Sequence, residues 1–510
     1  LKNMKSTLDS LITIYTVTRL DCDKAALKTY RSLYRKAIAE AKKTAYGNLL
    51  INSDNYNKTA WKLINWERNV TKKRTDVCGI SSTEFNKFFV NTAQTIIDSL
   101  HTKSANSETN LVENQSSCFF QPISIEETVW CIRQLKNSKC PDIYGITSGM
   151  IKNIGEVSAP FLTDLFNDCL SKGIFPDCLK TAKVLPIFKK GDPSSITNYR
   201  PISILPVLSK IFETMIKNRL LSFFDKHNII SKHQYGFMKG RSTVKAVANI
   251  VSDIVEGLNE GLDSQITLCD LSKAFDCVNH NILLGKLSKY GVRGKPLELL
   301  VSYLTNRTQC VIVNSEQSTF LKIKHGVPQG SILGPFLFTV YINDLPDALA
   351  PSISTLFADD TSVLNRGHNN EDLLQKSRCA IEKATLWFTT NMLKLNTDKT
   401  QYLLVSSNLR KRKGDSVILL GIRIDDGLTW YQQVNDLSKK LSSCIYLIRR
   451  LKRCLHHNLL ITAYYSLFHS HMTYGVALWG GSSHAIKIFK LQKRALRIIG
   501  NAKHRDSCRP

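Results

Sequence analysis

The chain has 510 residues, enough for two or more packed units rather than one core. Its 69 Lys and Arg outnumber 42 Asp and Glu, a formal +27 that suits a polyanionic partner such as nucleic acid, or else marks a merely basic soluble protein. No apolar run reaches the ~20 residues that span a bilayer, and no charged-then-apolar leader opens the chain, so an intracellular protein without a membrane partner is expected. Fourteen cysteines are present, but pairs such as Cys131 with Cys140 and Cys269 with Cys277 are too widely spaced for a Cys-x2-Cys zinc knuckle. Reduced thiols are the expectation. The start at Leu1 and the stop at Cys508-Arg509-Pro510 read as a piece of a longer frame.

In chain order, residues 1–112 read as a basic helical extension. From Ala25 to Leu50, Leu27, Tyr30, Tyr34, Ile38 and Ala41 recur at helical spacing, with Lys24, Lys28, Arg31, Arg35, Lys42 and Lys43 around them. A second helix is predicted from the capping box Ser81-x-x-Glu84 through Phe88, Phe89 and Ile96. The polar stretch Lys103 to Ser117 reads as a linker. From Ile123 helices and short strands intermix without βαβ regularity, which predicts an α+β fold. Pro206 opens a helix with Leu208, Phe212, Met215, Ile216 and Leu220 on one face. Strands are predicted at Gln265 to Cys269, Gln309 to Val313, Ser354 to Phe357, Tyr402 to Val405 and Val417 to Ile424. Between the last two, Arg410 to Lys413 reads as a solvated basic loop.

After Trp430 the pattern is helical. Val434, Leu437, Leu441, Ile445, Ile448 and Leu451 form an apolar stripe, while Lys439, Lys440, Arg449 and Arg450 offer basic faces to a phosphate backbone. His456, His457, His469 and His471 lack zinc-site spacing, and Trp479 reads as packing.

The chemistry is expected at Phe357-Ala358-Asp359-Asp360, a hairpin with acids at its tip. Alternation along a strand turns adjacent Asp residues to different faces, so a partner acid from elsewhere is needed. Asp270, at the end of Ile266-Thr267-Leu268-Cys269, is the candidate. Two strand-end acids with a nucleotide suit Mg2+, and two such ions can serve an in-line phosphoryl displacement. An adjacent acid pair alone is weak evidence, because turn acids are usually just solvated.

Ordered blocks add to it. Leu185-Pro186-Ile187-Phe188-Lys189-Lys190-Gly191-Asp192 and Asn198-Tyr199-Arg200-Pro201-Ile202-Ser203 come first, then Gln234-Tyr235-Gly236-Phe237-Met238-Lys239-Gly240-Arg241-Ser242-Thr243. Asp270-Leu271-Ser272-Lys273-Ala274-Phe275-Asp276 and Gly326-Val327-Pro328-Gln329-Gly330-Ser331-Ile332-Leu333-Gly334-Pro335 precede the hairpin, with Leu395-Asn396-Thr397-Asp398-Lys399-Thr400 and Leu420-Gly421-Ile422 after it. In this order, over residues 125–500, the chain resembles the reverse transcriptase of non-LTR, jockey-like retrotransposons.

The resemblance implies a right-hand polymerase: fingers with the start of the palm at 113–263, a palm with a small antiparallel sheet at 264–430, and a helical thumb with a truncated C-terminal region at 431–510. It implies an RNA-directed DNA polymerase adding dNTPs to a DNA primer or target-DNA 3′-OH on an RNA template, with two Mg2+ ions or Mn2+ in their place, working in the nucleus and a cytoplasmic ribonucleoprotein. Asp270 and Asp359 would be the main metal ligands, assisted by Asp360. Asp276, six residues on, is assigned a structural role. Phe275 would be a steric gate against the 2′-hydroxyl, or else an ordinary core ring. Gln329 would reach nucleotide or template, and Gly330 would allow close backbone approach. Arg200 and Lys190 would hold the β and γ phosphates, Lys399 the departing pyrophosphate, and Arg241 the nucleic-acid backbone.

Cys140 stands where the family usually has Gly, which predicts a strained turn and raises the reading of a decayed copy. Nothing resembles the endonuclease region expected upstream in the parent polyprotein. Two rivals follow: a catalytically silent RNA-binding remnant, and an intron-maturase-like protein.

Overall fold

Runs rich in aliphatic and β-branched residues form the strands of the larger of two units. The computed structural model describes residues 1–53, 55–68, 79–100, 113–503 and 506–507. They divide into Thr75–Leu420 and a smaller unit built from both ends of the chain, Leu1–Arg74 with Gly421–Pro510. The larger unit contains β1 (Thr181–Phe188), β2 (Tyr199–Ile204), β3 (Asp263–Cys269), β4 (Thr308–Val313), β5 (Glu316–Gln317), β6 (Leu321–Lys322), β7 (Ile353–Phe357), β8 (Asp360–Gly367), β9 (Gln401–Val405) and β10 (Ser416–Leu419).

One sheet has the order β7-β8-β3-β9 and is antiparallel throughout. The other has the order β2-β1-β4-β5, with β6 also on β4; β1 runs antiparallel to β2 and parallel to β4. Helices interspersed with these sheets make a mixed α+β fold. β1 and β2 escaped the strand reading, because prolines at 186 and 201 and the basic turn between them mask the β pattern. The single strand expected over Val417 to Ile424 is two: β10 ends at Leu419, and Leu420 and Gly421, both at positive φ, break the run before β11 (Ile422–Asp425).

The core of the larger unit is aromatic and aliphatic. Phe166 stacks on Phe212 at 4.7 Å between ring centroids, and Phe224 meets Phe336 edge-on at 5.2 Å. Each such ring, fully buried, contributes roughly 1.5–3 kcal/mol. Inside this core lies an ion pair, Lys286 Nζ to Asp344 Oδ1 at 2.6 Å, with Lys286 also donating to the Tyr341 carbonyl. Burial pushes the Lys286 ammonium down to about 8 despite the opposing pull of Asp344. The capping box at Ser81 and Glu84 forms as expected and starts the helix Ser82–Asp98. Pro206 caps the helix Val207–Lys226. Cys140 lies outside the left-handed region, so the expected strain at that turn is absent. Most of the linker expected at Lys103 to Ser117 lies outside the described residues.

In the smaller unit the six stripe residues of the helix Tyr431–Leu451 are all buried, against the helices Tyr56–Glu67 and Ile486–Ile499 among others. The helix Asp21–Ile51 buries only Leu27 and Leu50, leaving Tyr30, Tyr34 and Ile38 half-exposed and Ala41 exposed. Glu67 ties it to the helix Tyr56–Glu67, accepting from Lys42 Nζ and Tyr46 Oη at 2.8 Å each. A cleft of about 660 Å³ beside Glu67 is lined by Arg35, Lys36, Lys42, Arg450 and Arg453. Trp479 is buried, its Nε1 donating to the Tyr474 carbonyl at 3.1 Å, as a packing residue should. Among the described residues no helix is long and apolar enough to cross a membrane.

Candidate active site

Strand register brings the acids together. Cys269, the last residue of β3, pairs with Thr361 of β8, so Asp270 leaves the sheet beside Asp360, the first residue of β8. The β7–β8 hairpin closes on the pair Phe357 and Asp360, and its tip is Ala358-Asp359. Only Asp359 is therefore at the tip, where the sequence reading put both acids. Two-residue hairpin loops require positive φ, which Ala358 supplies at 55°.

That conformation is unfavourable for alanine, and the segment around Gln234 holds it. Gln234 Oε1, fully buried, accepts from Ala358 N at 3.2 Å and from Gly236 N at 2.7 Å. Tyr235 N donates to the Leu356 carbonyl at 2.7 Å, and Leu356 N to the His233 carbonyl at 2.9 Å. A Cβ on Gly236 would overlap the Ala358 backbone, so only glycine allows this approach. Gln234 carried no role in the sequence reading; the Gln-Tyr-Gly block was visible, but its long-range contact with the hairpin was not.

The acids perturb one another. Burial lifts the Asp359 carboxyl above its usual range and the charge of Asp270 adds to this, while Arg200 and Lys189 pull it down. Asp360 is surface-exposed, yet the protein around it and the charges of Asp359 and Asp270 lift it too. Asp270 Oδ2 accepts from Lys399 Nζ at 3.2 Å, an exposed pair of modest strength. The Asp270 carbonyl accepts from Asn396 N at 2.8 Å, which anchors the Lys399 turn to the acid. Among the described residues no group of three or more His, Cys, Asp and Glu is drawn close enough to hold a metal ion. The donor chemistry nonetheless fits a hard divalent cation, since the converging groups are carboxylates whose mutual repulsion such a charge would relieve.

Arg200 is exposed on β2 and acts electrostatically on Asp359. Of the two adjacent lysines, Lys189 rather than Lys190 is the one coupled to the acids: burial lowers its pKa, as do Arg200, Lys399 and Lys190, while Asp270 raises it. Sequence alone gave no reason to prefer it over its neighbour. Lys190 is exposed on the turn.

Phe275 is half-buried, stacked on Phe338 at 4.3 Å and facing Phe237 edge-on at 6.4 Å. Gln329 Nε2 donates to Asp276 Oδ1 at 2.9 Å. Burial pushes the Asp276 carboxyl up to about 6, against the opposing effects of Gln329 and Lys273. A Cβ on Gly330 would overlap the Ser203 carbonyl, so this glycine serves close packing of its loop on β2. The helix Leu333–Tyr341 follows, its first amides at Ile332 and Leu333 donating to buried Glu213 at 2.7 and 3.1 Å. Arg241 is engaged internally, donating to the carbonyls of Ser231, Lys232 and Gln234.

The reverse transcriptase (RNA-dependent DNA polymerase) family matches residues 187–424, a span that holds all three acids, Phe275, Gln329 and Lys399. The matched span is a little under half of the chain. Its relatives include the probable RNA-directed DNA polymerase from transposon BS of Drosophila melanogaster, 29% identical over 77% of this chain and 47% of the relative. The polymerase from the X-element of the same organism is 29% identical over 74% of this chain and 44% of its own length. That from the mobile element jockey, also of Drosophila melanogaster, is 29% identical over 76% and 45%. These agree with the non-LTR retrotransposon resemblance read from the blocks. The chain spans about half the length of the curated relatives it matches.

Lys439, Lys440, Arg449 and Arg450 lie beyond the matched span of the reverse-transcriptase domain, on the helix Tyr431–Leu451. The first three are exposed, and Arg450 is half-buried at the cleft beside Glu67.

Proposed function

We propose that the chain is an RNA-directed DNA polymerase that adds dNTPs to a primer 3′-OH on an RNA template, as part of a non-LTR retrotransposon product. The observation that carries this reading is the convergence of Asp270, Asp359 and Asp360 at the end of an antiparallel sheet inside the matched domain. In this reading residues 113–263 are fingers, 264–430 palm and 431–510 thumb, with 1–112 as a basic extension.

Asp270 and Asp359, with Asp360 beside them, would hold Mg2+, which supplies activation of the primer hydroxyl and charge neutralisation at the leaving pyrophosphate. Lys399, paired with Asp270 beside the acids, would serve the departing pyrophosphate. Lys189, Arg200 and Lys190 form the cationic wall for the triphosphate, with Lys189 in the larger role because its charge already acts on the acids. Phe275, wedged against Phe338, is a rigid floor that excludes a 2′-hydroxyl. Arg241 and Gly330 shape the site through the loop and backbone contacts they make, and Lys439, Lys440, Arg449 and Arg450 bind the phosphate backbone.

The test is primer extension on an RNA template by the purified chain, with and without Mg2+. Incorporation that requires both template and metal is expected. A folded, template-binding protein that incorporates nothing would overturn the reading in favour of an inactive RNA-binding remnant.

A further inference from the structure

The 326–335 loop is held on two sides by its backbone. Gly326 N donates to the Val278 carbonyl at 2.8 Å and Val327 N to the Phe275 carbonyl at 2.9 Å, which binds the loop to the turn after Asp270. On the other side Ser203 N donates to the Gln329 carbonyl at 2.8 Å. The main chain at Gln329 is thus fixed between β2 and the Asp276 turn, and what stays adjustable is the orientation of its amide. Asp276 is the side chain that contacts that amide, at 2.9 Å.

A primary amide has a donor end and an acceptor end of nearly the same shape, whereas an ionised carboxylate can only accept. We infer that Asp276 is a positioning residue that sets the hydrogen-bonding polarity of Gln329, drawing the amide nitrogen to itself and leaving Oε1 to accept from a donor on the bound nucleotide or template. This rests on the polymerase reading above and on the role in contacting nucleotide or template that the family resemblance implies for Gln329. It gives Asp276 a part in the reaction beyond the structural role its position in the sequence suggested.

The surroundings support the assignment. Asp276 and Gln329 share the wall of a cavity of about 150 Å³ with Arg307, Lys322, Lys324 and His325. Lys273 faces Asp276 from its own turn, and His280, three residues along the chain from Cys277, bonds the Gly326 carbonyl at 2.8 Å. Of these, the hydrogen bond from Gln329 and the charge of Lys273 favour the carboxylate. The raised pKa of about 6 places protonation within reach of mildly acid solution. A protonated Asp276 can donate to Gln329 Oε1 instead, which turns the nitrogen outward and reverses the polarity offered to the ligand.

The experiment is single-nucleotide incorporation on an RNA template with Mg2+, reading KM for dNTP and kcat separately from pH 5.5 to 8 for wild type, Asp276→Asn, Gln329→Ala and the double variant. The Asn amide can donate as well as accept, so D276N is expected to raise KM roughly 3- to 10-fold with kcat little changed. The double variant is expected to match Q329A alone, because the hydrogen bond it removes is already gone. Wild-type KM should rise as pH falls through about 6, and D276N should lack that rise. If Q329A keeps the wild-type KM, the assignment of Gln329 fails and the inference with it. If Q329A raises KM but D276N does not, or the two effects multiply, only the inference falls. Should D276N melt early, Gln329→Glu reads the same hydrogen bond from the other side: it replaces the donor with a second acceptor and must raise KM at least as far as Q329A, and a wild-type KM overturns the inference.

Discussion

The smaller unit, Leu1–Arg74 with Gly421–Pro510, holds 31 Lys and Arg against 10 Asp and Glu, a formal +21. The larger unit, Thr75–Leu420, holds 38 against 32, or +6, so about a third of the chain carries most of its excess charge. In the larger unit charges are placed one by one: Lys286 against Asp344, Lys399 against Asp270, Lys411 against Asp263. In the smaller unit they spread over the helix Asp21–Ile51 and the end of Tyr431–Leu451, with Glu67 compensating Lys42. A placed charge acts through geometry and fails when one atom is wrong. A spread charge acts through summed potential and fails only by degrees.

Single substitutions in the larger unit should therefore be severe. Asp359→Asn should reduce primer extension by about 10³-fold, the scale on which loss of a transition-state-specific electrostatic group is felt, while RNA retention stays near wild type. Undiminished extension would remove Asp359 from the site. Lys286→Ala leaves Asp344 buried and unpaired and should cost about 3 kcal/mol in chemical denaturation. A loss under 1 kcal/mol would show the pair to be hydrated. The same value for Lys286→Met as for Lys286→Ala would assign the effect to the lost charge rather than the lost volume.

Asp276 gives a pH prediction of definite sign. Its folded pKa is raised from 3.8 to about 6, so the folded state retains a proton that the unfolded chain gives up, and its contribution to stability falls as pH rises across that window. Asp276→Asn removes this dependence and should be more stable than wild type at pH 7 by on the order of 2 kcal/mol, yet weaker in nucleotide binding. Equal denaturation midpoints at pH 4 and pH 7, after subtraction of the D276N curve, would contradict the burial argument.

The smallest effects belong to the smaller unit. Arg35→Gln, Arg450→Gln and Arg453→Gln together should lower the slope of log affinity against log salt for single-stranded RNA by up to ~2, about 0.7 for each phosphate that is no longer neutralised. Each alone should be hard to detect, and extension of a short pre-annealed primer should change less than about 2-fold. One substitution that abolished RNA binding would erase the distinction between the two units.

The same distinction decides what could be read from sequence. The apolar stripe from Val434 to Leu451, the capping box at Ser81 and the Phe-Ala-Asp-Asp hairpin are local patterns, and each formed. The pairing of Asp270 with the hairpin could be argued because both acids end apolar strands. Contacts between distant segments left no local trace. Gln234 reaches Ala358 over 124 positions and Gln329 reaches Asp276 over 53. Lys189 and Lys190 are chemically alike, and only their placement after β1 distinguishes the one coupled to the acids. The turn at Leu420 and Gly421 was hidden inside an unbroken aliphatic run that reads as one strand.

Building the smaller unit from both ends of the chain has a consequence for biosynthesis. At 5–20 residues per second, a ribosome needs roughly 20 to 70 s to traverse Thr75–Leu420, and for that interval the first helices have been made while the helix that buries their companion surface has not. Order of synthesis thus leaves the larger unit free to fold before the smaller, more highly charged one can be assembled.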